Sequence, residues 1–153
     1  MSEYHIPVLL NESVSALNIE ENRDGIFVDA TFGGGGHSRE ILARLGKKGK
    51  LIAFDRDSDA IKNAPDDKRL ILIHNNFRFI QNFTRALGYM GKIDGILGDL
   101  GVSSHQFDTG ERGFSFRFDA PLDMRMNQMA PKSAADVVNG YSQEDLTRIF
   151  KIY

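Results

Sequence analysis

The sequence predicts an α/β fold built on a doubly wound, mainly parallel sheet, and three observations predict it. Short runs rich in Ile, Leu and Val alternate with segments of helical period. Each apolar run ends on a polar residue, Asp or Asn, close to a loop. Four consecutive glycines, Gly33 to Gly36, separate the first such run from the first long helical segment. Continuous apolar strands linked by helical crossovers belong to sheets buried on both faces. Crossovers of this kind are right-handed, which limits the topology to a doubly wound open sheet.

Ile26 to Asp29 reads as the first strand, and Ser38 to Leu45 as a helix ending at Gly46. Lys50 to Phe54 is the second strand, closed by Asp55, and Ser58 to Asn63 a short helix stopped before Pro65. Leu70 to Ile73 is the third strand. Phe79 to Leu87 is a helix with Phe79, Ile80, Phe83 and Leu87 on one stripe, ended by Gly88. Ile93 to Leu97 is the fourth strand, stopping at Gly98-Asp99. From Val102 to Met129 no clean period appears, yet Phe107, Phe114, Phe116 and Phe118 argue against disorder. Ser142 with Asp145 three residues later resembles a capping box opening a last helix, with Leu146, Ile149 and Phe150 on one face. The expected division is 1–101 as a ligand-binding core and 102–153 as a substrate loop with the start of a helical segment.

A chain of 153 residues has room for a real core, and its 41% hydrophobic and 26% charged content is that of a soluble globular protein. With no cysteine, disulfides and cysteine-based metal sites are excluded, which fits a reducing, cytoplasmic setting. No apolar run approaches the roughly 18 to 20 residues of a membrane span, and Met1 to His5 lacks the basic start of a secretion signal. A net charge of −2 gives no global basic field, so a polyanionic partner has to be met by a local patch.

In open parallel sheets ligands bind at the carboxyl ends of the strands, near the point where strand order reverses. The sequence sets Asp29 and the glycines, Asp55, Asn75-Asn76-Phe77 and Asp99 at those ends. A bare glycine loop running into a helix start exposes N–H groups that favour a negative ligand group. Asp55 lies about twenty residues beyond the glycines, the spacing at which an acid on the second strand takes ribose hydroxyls. A nicotinamide loop fits poorly: with Gly33 and Gly35 in register the third glycine position holds Ser38, and with Gly34 and Gly36 it holds Arg39. A lysine-bearing phosphate loop is absent as well, because His37-Ser38 follow Gly36. A ligand with a ribose and a carboxylate but no pyrophosphate on the loop answers to S-adenosylmethionine. Phe77 is read either as a cover for its adenine or as core. His37 is read either as helix-start packing or as a contact to the methionine carboxylate. No second ligand is spaced to make a metal site with His37, and His5, His74 and His105 receive no role.

The blocks Asp29-Ala-Thr-Phe-Gly-Gly-Gly-Gly-His-Ser38, Phe54-Asp-Arg-Asp57, Gly95-Ile-Leu-Gly-Asp-Leu-Gly-Val-Ser-Ser104 and Arg112-Gly-Phe-Ser-Phe with Pro121-Leu-Asp-Met-Arg-Met126 carry a resemblance. So do His5-Ile-Pro-Val-Leu-Leu10 and Lys132-Ser-Ala-Ala-Asp136. Together they resemble the bacterial small-subunit (16S) ribosomal RNA cytosine-N4 methyltransferase family (the MraW/RsmH type) over nearly the whole chain. The resemblance implies a Rossmann-like class I S-adenosylmethionine-dependent methyltransferase fold, with a cytidine of the ribosomal decoding region as target. It carries cofactor contacts onto Gly35, Gly36, His37, Asp55, Phe77, Asp99 and Gln106. Asp99, after the fourth strand, is also the candidate catalytic acceptor for the amine. Family members often have a larger residue than Gly34, whose backbone alone would face the ligand.

Arg112, Arg117 and Arg125 are read either as holding RNA phosphates or as neutralised by Glu111, Asp119 and Asp123, and Phe114 or Phe116 as stacking a splayed base. Family members run to about twice this length, so the expectation is a sheet cut short after its fourth strand. The open edge would then invite a homodimer, cofactor would bind weakly, and this chain alone would transfer little or no methyl. Two other readings stay open: a NAD-type oxidoreductase domain and a non-catalytic fragment.

Overall fold

A computed structural model describes residues 7–153, and the chain divides into two compact units, Met1–Gly101 and Val102–Tyr153. The first unit opens with α1 (Leu10–Ser15) and a 3-10 turn, Ile19–Glu21. Neither is expected from the sequence, because α1 is six residues long and its N-cap, Leu9, offers no side-chain bond. What holds them is tertiary: Val14 and Ile19 are fully buried in the core.

Four strands follow, β1 (Ile26–Asp29), β2 (Lys50–Asp55), β3 (Leu70–His74) and β4 (Gly95–Leu97). All pair in parallel, in the order β3-β2-β1-β4. The crossovers carry α2 (Gly36–Arg44), α3 (Ser58–Ile61) and, after a 3-10 turn at Phe77–Phe79, α4 (Ile80–Ala86). Strand order reverses at β1, since β2 and β3 lie to one side and β4 to the other. The register sets Asp29 beside Ala53 and Leu97, which brings the carboxyl ends of β1, β2 and β4 to one rim.

Alternation along the strands sorts the core into two layers. On one face Phe27, Leu51 and Leu97 pack with Val14, Ile41, Leu42 and Leu45. On the other Val28, Ile52 and Phe54 meet Ile71, Ile73, Ile80 and Phe83. Phe54 and Phe83 meet edge to face with ring centroids 5.7 Å apart. Both faces are thus covered, as a parallel sheet requires. Among the described residues β4 pairs only with β1, and Ile96 on it is exposed.

Boundaries depart from expectation where side chains compete with the backbone. The fourth strand starts at Gly95 rather than Ile93, because the Asp94 carboxylate accepts from the Ile26 N–H at 2.7 Å and from the Asn22 amide at 2.9 Å. The third helix stops at Ile61 rather than Asn63, whose side chain donates to the Asp59 carbonyl at 3.1 Å. Residues 77–79 wind as a 3-10 turn capped by the Asn76 side chain, which delays α4 to Ile80.

The second unit holds α5 (Ser104–Asp108), a 3-10 turn at Gly110–Arg112, α6 (Ala134–Gly140) and α7 (Gln143–Ile152). Ser142 caps α7 through the Asp145 N–H at 3.1 Å, as the sequence predicts. α5 falls within the stretch from Val102 to Met129 in which no clean period is expected, and α6 follows in residues to which the sequence reading assigns no element. Each is too short to show a period, and each is set by a capping box, Ser103 with Gln106 and Ser133 with Asp136. Among the described residues no helix is long and apolar enough to cross a membrane.

One clamp ties two crossovers of the first unit together. Arg69 donates to the Leu45 carbonyl at 2.8 Å while its guanidinium grips Asp67 at 2.6 Å. Hydrogen bonds from Arg69 hold the Asp67 carboxyl well below its ordinary value, at about 2. A depressed acid stabilises the fold above its unfolded value and loses that contribution as pH falls through its folded one. Asp67→Asn is therefore expected to lower stability to urea at neutral pH, with the gap to the parent closing between about pH 4 and about pH 2. A gap that stays constant over that range would contradict the clamp.

Candidate functional site

The glycine loop leaves β1 through a buried acid. Asp29 is fully buried, and its carboxylate accepts the Ser38 hydroxyl at 2.6 Å and the Thr31 N–H at 3.0 Å. Burial pushes this carboxyl above its ordinary value, while the two hydrogen bonds and the His37 ring pull the other way. The chain then turns at Phe32–Gly35, closed by the Gly35 N–H on the Phe32 carbonyl at 2.7 Å. Gly35 is the N-cap of α2 with φ 78°, and a Cβ there would lie 2.9 Å from the Phe32 ring. Only glycine fits that position without strain.

α2 therefore starts two residues before the predicted Ser38, inside the glycines. The Arg39 N–H is the first to find a carbonyl one turn back, Gly35 at 2.9 Å. The N–H groups of Gly36, His37 and Ser38 precede it and have no such partner within the helix. A nine-residue helix start of this kind favours an anion. His37 sharpens the point. It is only 7% exposed, and its Nε2 has no hydrogen-bond partner among the described residues. A buried polar atom without a partner is costly and rare, so this one points to a ligand. Its Nδ1 lies 4.0 Å from the Asp99 carboxylate, outside hydrogen-bond reach but within reach of its charge.

The other strand ends converge on the same loop. Asp55 accepts the Gly33 N–H through one oxygen at 2.7 Å and the Asp57 N–H through the other at 2.8 Å. Each oxygen keeps a lone pair, so the carboxylate is fixed in direction and still able to accept two hydroxyls. Asp99 donates its backbone N–H to the Thr31 hydroxyl at 2.7 Å, and its side chain is 67% exposed. Thr31 is thus a link between β1 and β4 that sequence reading missed, because a single Thr in a loop carries no spacing signal. Phe77 is not core: its ring is exposed at the start of the turn after β3. The rim thus gathers Gly35, Gly36, His37, Asp55 and Asp99, with Phe77 at the end of the neighbouring strand.

Gln106 belongs to the second unit. It is buried, its side-chain oxygen accepts the Ser103 N–H at 3.0 Å, and its own N–H donates to the Ser103 hydroxyl at 3.2 Å. The S-x-x-Q spacing carries the signal for this box. The arginines of the same unit are engaged within it, which corrects the phosphate reading for Arg112. That residue is buried and donates to the carbonyls of Arg125 and Met126 at 3.0 and 3.2 Å. Arg125 grips Asp123, as the neutralising reading expects, whereas Arg117 grips Asp108, which the sequence does not flag. Among the described residues no cluster of His, Asp or Glu is arranged to hold a metal ion.

The model of the MraW methylase family matches residues 2–153. A ribosomal RNA small subunit methyltransferase H of Flavobacterium johnsoniae is 60% identical over 151 residues, 99% of this chain and 49% of that relative. Proteins of the same name from Christiangramia forsetii and Parabacteroides distasonis are 58% and 57% identical, over 100% and 98% of this chain and 50% and 48% of their own lengths. The chain spans about half the length of the curated relatives it matches.

Asp29→Ala is expected to destabilise the first unit by about 2–3 kcal/mol, because it strands a buried hydroxyl and a backbone N–H together. Ser38→Ala should cost less, since Thr31 still serves the carboxylate. Chemical denaturation of the two variants decides it, and an Ser38→Ala loss as large as that of Asp29→Ala would contradict the anchoring role.

Proposed function

The chain belongs to the MraW methylase family, and from that premise we propose that its first unit holds S-adenosylmethionine for methylation of the exocyclic N4 of a cytidine in small-subunit ribosomal RNA, in the decoding region. The methyl transfer is proposed for the whole protein, of which the present sequence matches about half the length of its relatives. The observation that carries the cofactor reading is the start of α2, where the N–H groups of Gly36, His37 and Ser38 have no partner within the helix and the Nε2 of the buried His37 has none among the described residues. That donor set fits a carboxylate, and Asp55, aimed by two backbone amides, fits a ribose diol.

In this reading Gly35, Gly36 and His37 hold the amino-acid end, Asp55 accepts the ribose hydroxyls, and the exposed ring of Phe77 covers the adenine. Gln106 is assigned to the cofactor by family resemblance alone. When bound, S-adenosylmethionine supplies a methyl on a sulfonium, which the amine takes up by in-line displacement. Cytosine's amine is a poor nucleophile because its lone pair is delocalised into the ring. A group that accepts an amine hydrogen and turns the lone pair outward lowers the barrier by position and electrostatics. Asp99, exposed on the rim, is assigned that part, and the proton that N4 loses passes through its carboxylate to water. In the second unit Phe116 is fully exposed on a loop whose arginine neighbour, Arg117, is held by Asp108. We assign that ring to stacking on an unpaired base.

Calorimetric titration tests the cofactor reading. S-adenosylmethionine is expected to give saturable heat, Asp55→Ala to weaken it at least about tenfold through loss of a charge-assisted acceptor, and NAD to give none. Saturable binding of NAD in place of S-adenosylmethionine, or an unchanged affinity in Asp55→Ala, would contradict it.

A further inference from the structure

Arg39 stands where a dinucleotide loop would carry its third glycine, and the cofactor reading gives it no part. Its guanidinium has two backbone partners. One nitrogen donates to the Gly34 carbonyl at 2.7 Å, the other to the Asn63 carbonyl at 2.6 Å. These carbonyls lie on different segments: Gly34 in the loop after β1, Asn63 just beyond α3, downstream of Asp55.

The peptide that joins Gly34 to Gly35 is consequently held at both ends. Arg39 takes its carbonyl, and the Phe32 carbonyl takes its N–H at 2.7 Å. Its two residues lack a Cβ, so sterics alone would let that peptide turn over readily. Reversed, it would set its carbonyl against the Phe32 carbonyl that now accepts its N–H, and the turn that leads into α2 would lose its closing bond. Arg39 itself is exposed, so packing does not explain its position. The guanidinium also covers Gly35, whose added Cβ would lie 2.9 Å from its Nη1.

We infer that Arg39 is a positioning residue: it locks the Gly34–Gly35 peptide in the orientation that gives the Gly35 N–H to the Phe32 carbonyl, and it ties the loop for the ligand's carboxylate to the segment that follows the ribose acid. The inference rests on the cofactor reading for its consequence, not for its geometry. A ligand that spans both segments depends on the tie, whereas one that touches only the ribose segment does not.

The test uses Arg39→Met, which keeps the stem and removes the donors, and Arg39→Lys, which restores one. Amide hydrogen exchange on the ligand-free chain reads the lock directly. In Arg39→Met the Gly35 N–H is expected to exchange about tenfold faster, with Val28 and Ile52 in the sheet unchanged and Arg39→Lys intermediate. S-adenosylhomocysteine, which carries the amino-acid end, should bind Arg39→Met about tenfold more weakly, while adenosine binds as it does to the parent. Unchanged exchange at Gly35 overturns the lock. Equal weakening of both ligands overturns the positioning role, since that is what a general loss of stability produces. A parent chain that binds neither ligand removes the cofactor reading, and the exchange result then decides the lock by itself.

Discussion

The Asp29 carboxylate, fully buried at the end of β1 with the Ser38 hydroxyl at 2.6 Å and the Thr31 amide at 3.0 Å, sets the direction of everything that leaves the sheet there. Its bond to Ser38 pins the first turn of α2, and its bond to Thr31 pins the start of the loop. Thr31 in turn receives the backbone of Asp99. Because burial is the largest influence on this acid, its carboxyl lies above the ordinary value. The ionised form is then the costlier one in the folded chain, so the fold gives up stability as pH rises above the ordinary carboxylate range. Those two hydrogen bonds offset part of that cost.

From this anchor the rim is assembled by backbone amides rather than by side-chain packing. Phe32 bonds its N–H to the Phe54 carbonyl at 2.9 Å, and Gly33 bonds its own to Asp55. Each contact joins β1 to β2 at its carboxyl end. The loop is therefore built before any ligand arrives, and the donors at the start of α2 do not have to be ordered on binding. Preorganisation of this kind reduces the entropic cost of association. On the proposed reading it also explains why His37 is buried: the ring is placed for a partner that the described residues do not provide.

Much of this was legible in the sequence, for physical reasons that differ by residue. Strands 1 to 4 showed because buried parallel strands are continuous apolar runs. The rim showed because Asp29, Asp55 and Asp99 break those runs at one end. α7 showed through Ser142 and Asp145. α1 was silent, since six uncapped residues carry no period, and only the burial of Val14 and Ile19 holds them. The start of α2 at Gly36 was hidden because glycine has no helical preference to read. The fate of Arg112, Arg117 and Arg125 could not be seen either, because spacing does not tell a carbonyl partner from a phosphate. Phe77 is the instructive case: composition favours core, and the structure leaves the ring exposed.

The central claim is that the start of α2 and the end of β2 receive two ends of one ligand. Amide-resolved NMR titration of the chain with S-adenosylmethionine tests it most directly. The account predicts that the amide signals of Gly36, His37 and Asp55 move together along one binding curve. Signals of Gly36 and His37 that stay fixed while others saturate would contradict it.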